Sequence, residues 1–143
     1  MIRYFHSGDM RPLLDLWLES TTQAHPFIPS DYWQESLPLV RDEYLPQSIS
    51  WVDERDGNLT GFISVLMEQF LGAIFVSPAY YRQGIGTALM EKAKQHFPVL
   101  SLEVYRLNRP ARAFYYRQGF REIGSAFNTE TGHSILTLQW RDD

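Results

Sequence analysis

Apolar side chains recur along this chain with two different periods, and each change of period marks an element. Met10, Leu13, Leu14, Trp17 and Leu18 follow the three-and-four spacing of one helical face. Asp9 stands where a cap would, and Pro12 is tolerated in a first turn. His25-Pro26-Phe27-Ile28-Pro29 interrupts that pattern. A second helical stripe of Trp33, Leu37, Val40 and Tyr44 follows, with Ser30 as the expected cap. Pro38 lies inside this stripe, where it removes a hydrogen bond and costs ~3 kcal/mol in a regular helix, so a kink or break is expected there. Strands are expected at residues 2–5, 49–54, 59–67 and 70–76, with Asp56-Gly57-Asn58 as a hairpin turn.

Beyond Gly86, Leu89, Ala93 and Phe97 line one side of a helix that Pro98 stops. Residues 100–105 then alternate strictly. Leu100, Leu102 and Val104 fall on one face, and Ser101, Glu103 and Tyr105 on the other. Asn108 is a natural cap for a short helix opening at Arg109-Pro110 and ending at Gly119. Two further strands, near 120–127 and 134–140, flank a turn at residues 129–133. The order β-α-α-β-β-β-α-β-α-β-β combines hairpins with helical crossovers, which predicts a mixed sheet with helices on its faces.

The chain has 143 residues, suited to one domain spanning 1–143 with a sizeable core. Its net charge of -4 argues against nucleic acid as the main partner. The absence of cysteine excludes disulfides, thiolate metal sites and a cysteine nucleophile. The four histidines lack metal-ligand spacing. No apolar run is long enough to span a bilayer, and the N-terminus lacks a secretory apolar segment, so a soluble cytoplasmic protein is expected.

The stretch from Phe75 to Leu89 changes this picture. An apolar strand runs into a turn, then Gly84-Ile85-Gly86, then a helix. Backbone N–H groups at a helix entrance lack intrahelical partners, and the helix dipole adds positive charge, so the turn suits a phosphate or pyrophosphate. A dinucleotide fingerprint would need glycine at Leu89, and a Walker loop would need Gly-Lys-Ser/Thr, so both readings fail.

Two motifs fit together. Val76, Pro78, Gly84, Gly86, Ala88 and Leu89 fill a Val-x-Pro…Gly-x-Gly-x-Ala-Leu pattern. Asn108, Ala111, Phe114, Tyr115, Gly119 and Phe120 fill Asn-x-x-Ala-x-x-Phe-Tyr-x-x-x-Gly-Phe. With the element order, these residues resemble the GNAT family, the GCN5-related N-acetyltransferases. The N-terminal half, with Thr22 and His25-Pro26-Phe27-Ile28 before Trp33, resembles small bacterial members linked to protein lysine acetylation.

The resemblance implies an α+β fold: a mixed, mostly antiparallel sheet of six to seven strands, helices on both faces, and a splayed fourth and fifth strand. It implies acetyl-CoA as co-substrate and no metal. Phe75 and Val76 would meet the pantetheine arm, and the family's oxyanion stabiliser, a backbone N–H, maps to about these two residues. Arg82, Gln83, Gly84, Ile85, Gly86 and Thr87 would take the pyrophosphate. Asn108 would both cap its helix and touch the arm, and Tyr115 would complete the set. One departure is Tyr81, which stands where the family usually has Arg or Gln.

The reaction sets its own demands. A lysine amine has a reference pKa of ~10.4, so about one in a few thousand is neutral and nucleophilic at pH 7. A base must take its proton, an oxyanion must be stabilised, and the departing thiolate must be protonated. Without cysteine, direct transfer is the simpler scheme. Tyr115 is the candidate acid, since a phenol near pKa ~10 keeps its proton at neutral pH. Glu103 is the candidate base, as in related transferases with Leu-Glu-Val before the Asn motif. Glu68 and His25 are further options. Tyr4, Phe27, Tyr32, Trp33 and Tyr105 are candidates to line an acceptor cleft. The expected acceptor is a primary amine such as a protein lysine or N-terminal amine, with no membrane partner and a monomer or homodimer. Competing readings are a non-catalytic CoA-binding sensor and a transferase acting on a small amine or aminoacyl-tRNA.

Overall fold

The computed structural model describes residues 1–142. Seven strands form one sheet in the order β1-β2-β3-β4-β5-β7-β6. They are β1 (Ile2–Tyr4), β2 (Ser48–Arg55), β3 (Asn58–Leu66), β4 (Phe70–Val76), β5 (Val99–Tyr105), β6 (Arg121–Asn128) and β7 (His133–Arg141). Every pairing is antiparallel except β4 with β5. The β2–β3 turn has two residues, Asp56 (φ 53°) and Gly57 (φ 79°), both left-handed as the strands' twist favours.

The α-helices among the described residues are α1 (Met10–Ala24), α2 (Ser30–Leu39), α3 (Leu45–Gln47), α4 (Ile85–His96) and α5 (Arg109–Arg117). One core cluster joins α1 and α2 to one face of the sheet. It holds Leu13, Leu14, Leu16, Trp17, Val52 and Phe62, with Trp33, Leu37, Ala73 and Phe75 packed against it. The other joins α4 and α5 to the opposite face through Leu89, Met90, Ala93, Leu100, Leu102 and Val104, with Phe114 and Tyr115 against it. The sheet therefore has helices on both faces, as expected.

Local details differ from the expectation at three places. Asp9 does not cap α1. Its carboxylate accepts from the His6 N–H at 2.9 Å and from Arg3 at 2.8 and 2.9 Å, so it closes the short turn Ser7–Asp9 instead. Ser30 is already inside α2, and Pro29 precedes it as the boundary residue without a side-chain cap. Pro38 does not break the helical run. The chain widens into a π-turn over Val40–Tyr44, and the Val40 N–H bonds to the Ser36 and Leu37 carbonyls, so the helical run continues past the proline.

Candidate active site

β4 and β5 meet at one point. Among the described residues, the only pair is Phe70 with Ser101; there the Ser101 N–H donates to the Gln69 carbonyl (2.9 Å), and Gln69 Nε2 donates to Ser101 Oγ (3.2 Å). Beyond it the strands diverge. β4 stays paired with β3 as far as Gly61↔Val76, and β5 stays paired with β7 as far as Tyr105↔Ile135. The expected splay is thus present, and it leaves the β5-facing edge of β4 without a strand partner among the described residues.

A bulge aims that edge. Ser64 pairs with Ala73 but Val65 with Leu71, so Gly72 is the extra residue. A Cβ at Gly72 would lie 2.7 Å from Leu66 Cδ1. Beyond the bulge, the Ser77 N–H donates to the Thr60 carbonyl at 2.7 Å. Alternation then puts Phe75 and Ala73 in hydrogen-bonded pairs with β3 and turns the backbone of Ile74 and Val76 toward the gap. The Phe75 carbonyl lies against Gly61, and its ring packs on Phe62 at 6.1 Å. Of the two residues singled out from the sequence, Val76 presents its backbone to the opening. Ile74, which sequence reasoning missed, joins it.

At the mouth of the gap the chain passes through Arg82 (φ 65°) and Gly84 (φ 77°) before entering α4. Among the described residues, no backbone N–H from Arg82 to Thr87 donates to the protein; the first bond of the helix is Ala88 N–H to the Gly84 carbonyl (3.0 Å). Left-handed residues on either side of Gln83 and six free donors at a helix N-terminus form an anion-binding concavity. The arrangement fits a diphosphate. Gly86 allows the close approach that joins this turn to the gap: a Cβ there would sit 3.4 Å from the Phe114 ring and 3.7 Å from Val76. Arg82 is exposed, and Gln83 Oε1 accepts from Arg55 Nη1 at 3.2 Å. Thr87 Oγ1 accepts from Gln118 Nε2 at 3.3 Å, while Lys94 Nζ donates to the Gln118 carbonyl at 2.6 Å, which ties the end of α5 to α4.

Tyr115 lies on α5, packed on Phe114 (5.7 Å) and Phe120 (5.8 Å). Burial pushes its phenol well above the ordinary value. The helix is fixed at both ends. Asn108 Oδ1 accepts from the Ala111 N–H (3.4 Å), the expected cap. At the other end Gly119 (φ 93°) turns the chain, with the Phe120 N–H bonded to the Tyr115 carbonyl (3.0 Å) and the Gly119 N–H to the Tyr116 carbonyl (3.1 Å).

Glu103 is exposed on β5. It shares a face with Tyr105, opposite Leu102 and Val104, and so lies on the α1–α2 side of the sheet. Tyr115 lies on the α4–α5 side, and the β4–β5 gap separates the two. Tyr105 belongs to an aromatic cluster with His25 (5.2 Å), Phe27 (5.7 Å) and Trp33 (6.4 Å), and Tyr32 stacks edge-on against Trp33 at 5.0 Å. Burial raises the Tyr105 phenol, and the charges of Glu130 and Glu103 add to the effect. The cluster gathers four of the five aromatics expected to line a cleft. Tyr4 departs from them: it lies on β1, four strands from β5 in the sheet order, and stacks on Trp51 at 5.6 Å. Glu68 (φ 60°) stands on the turn before β4, at the closed end of the gap.

A parallel pair opened beside a glycine-led helix defines a class. The chain belongs to the GNAT acetyltransferases: the family model described as "Acetyltransferase (GNAT) family" matches residues 10–120. Among particular relatives, it is 46% identical to Peptidyl-lysine N-acetyltransferase YiaC of Escherichia coli (strain K12), over 98% of this chain and 96% of that one. It is 34% identical to Peptidyl-lysine N-acetyltransferase YjaB of the same organism, over 97% and 95% of the two chains. The solution structure of apo YjaB superimposes with a TM-score of 0.82, at 28% identity, covering 98% of this chain and 96% of that one. The crystal structure of PaiA N-acetyltransferase from Thermoplasma acidophilum in complex with coenzyme A shares the fold, with a TM-score of 0.80 at 19% identity and coverage of 99% and 98%.

Proposed function

We propose that residues 1–143 form one domain that moves the acetyl group of acetyl-CoA directly to the ε-amine of a protein lysine, acting in the cytoplasm as a monomer or homodimer. The observation that carries this reading is the unpaired β4 edge opening onto the free N–H groups of residues 82–87. A pantetheine arm fits the edge, and a diphosphate fits the turn. When bound, acetyl-CoA supplies the activated acetyl group. The chain's own residues do the rest.

The backbone of Val76, joined by that of Ile74 in place of Phe75, whose backbone is tied to β3, binds the arm. The turn from Arg82 through Gln83, Gly84, Ile85, Gly86 and Thr87 holds the diphosphate. Asn108 keeps the helix of Tyr115 in place. Donor and acceptor approach from opposite sides of the sheet. Glu103, on the α1–α2 side beside the aromatic cluster, takes the proton of the incoming amine directly or through a water. Tyr115, on the other side, donates its phenolic proton to the departing thiolate; a phenol near pKa ~10 or above holds that proton at neutral pH until the thiolate forms. A backbone N–H of the opened edge stabilises the oxyanion. The names of YiaC and YjaB, both peptidyl-lysine N-acetyltransferases, support the lysine acceptor.

The test is calorimetry with acetyl-CoA followed by a thiol-release screen over lysine peptides, N-terminal amines and small amines. Lysine peptides are expected to release thiol and gain acetyl mass. Binding without release from any amine would favour a sensor, and no binding would overturn the reading.

A further inference from the structure

His25 is a buried titratable group that the proposed reaction does not use. It ends α1, is 8% exposed, and sits between Trp33 (4.9 Å), Tyr105 (5.2 Å) and Phe27 (5.7 Å). Its Nδ1 lies 2.6 Å from the Thr21 carbonyl oxygen and 3.3 Å from Thr21 Oγ1. A carbonyl oxygen only accepts, so Nδ1 carries the proton and Nε2 presents a lone pair. That lone pair faces Asn108 Nδ2 at 3.4 Å, across 83 residues of sequence. Asn108 is 7% exposed, and its amide oxygen is already committed to the Ala111 N–H (3.4 Å). The tautomer of the histidine and the orientation of the amide therefore specify each other. Carbonyl, imidazole, amide and helix N–H form one chain from the end of α1 to the start of α5.

We propose that His25 is a positioning residue for Tyr115: its neutral imidazole holds the Asn108 amide in the orientation that caps the helix carrying the phenol. Its hydrogen bonds run to Thr21 and Asn108 and its ring packs on Phe27, Trp33 and Tyr105, so it acts through Asn108. Protonation of Nε2 would set two donors face to face. Asn108 could answer only by turning its oxygen to the ring, and α5 would lose its cap. Burial supports the neutral form, lowering the imidazole's pKa against the opposing pull of the Thr21 carbonyl. The aromatic packing adds a second link, because the same ring locks the α1–α2 connection against the end of β5.

The inference rests on Tyr115 as the acid, and its test separates the two. In nitrogen-15 NMR of the full chain, the His25 ring is expected as the Nδ1–H tautomer, with Nε2 unprotonated at neutral pH; an Nε2–H tautomer or a charged ring overturns the proposal whatever the activity. In steady-state kinetics, His25→Leu is expected to lower kcat about tenfold while the KM for acetyl-CoA stays within about twofold. His25→Gln, which keeps an acceptor, is expected to recover most of that loss. The double variant His25→Leu/Asn108→Ala should be no slower than Asn108→Ala alone, since both act on one path. Additive losses, or no recovery with glutamine, would sink the idea. Should His25→Leu not fold, the tautomer and the glutamine variant still decide.

Discussion

Tyr115 can serve as an acid only while its phenol is neutral, and its surroundings secure that. Packing against Phe114 and Phe120 removes water that would stabilise the phenolate. Tyr115→Phe keeps the packing and removes the proton, so kcat should fall about a hundredfold or more while the calorimetric Kd for acetyl-CoA changes less than about threefold. Glu103→Gln should lower kcat/KM about tenfold or more and alter the pH dependence of the rate, because an amide takes no proton from the amine; an unchanged profile would place the base elsewhere. Alternation along β5 was enough to place Glu103 on the face it shares with Tyr105, whereas its role and that of Tyr115 come from the family resemblance. Ile74 was not. Simple alternation along Phe-Leu-Gly-Ala-Ile-Phe-Val puts Leu71 and Ile74 on opposite faces, whereas the bulge at Gly72 brings both to the α4 side.

Helix α4 begins where two left-handed residues release its first donors. Gly84 has φ 77°, and open space surrounds the position a Cβ would take, so Gly84→Ala acts through backbone strain alone, about 1 kcal/mol. The expected outcome is acetyl-CoA affinity weakened about five- to tenfold in calorimetry, with the circular dichroism spectrum unchanged. Asn108→Ala removes the cap of α5 and should cost about 1 kcal/mol in urea unfolding. The glycine turn and the Asn108 cap could be read from the local sequence because each depends on residues a few positions away. The caps of α1 and α2 could not. Whether Asp9 faces the first N–H groups of α1 depends on Arg3, which pulls the carboxylate toward β1. Pro38 declared a disturbance, but a π-turn rather than a break follows from packing of Trp33, Leu37 and Val40 on α1 and the sheet.

The protein as a whole carries its pH sensitivity in a few paired groups at the β1–β2 edge and in His25. The Arg3 guanidinium holds the Asp9 carboxyl below the usual range, against burial and with help from the His6 N–H. Burial pushes the Asp53 carboxyl up, but hydrogen bonds from Thr60, the N-terminal ammonium and Arg55 outweigh it and leave it lowered. A carboxylate with a lowered folded pKa contributes stability above about pH 3.9 and loses it as pH falls through the folded value. His25, also lowered, behaves the same way around its own reference: its share is full above about pH 6.5 and declines below. Urea midpoints should therefore drop in two stages on acidification, the first setting in below about pH 6.5 and absent in His25→Gln, the second below about pH 4. Periodicity, punctuation by glycine and proline, and two spaced motifs were enough to read the order of elements, the family resemblance and the glycine turn that opens α4, because each depends on neighbours a few positions away. The splay of β4 from β5, the turning of Ile74 and Val76 into it, the placement of Tyr115 and Glu103 on opposite sides, and the link from His25 to Asn108 were decided by contacts between residues far apart in the chain. No local pattern encodes such contacts, since they exist only once both faces of the sheet are packed.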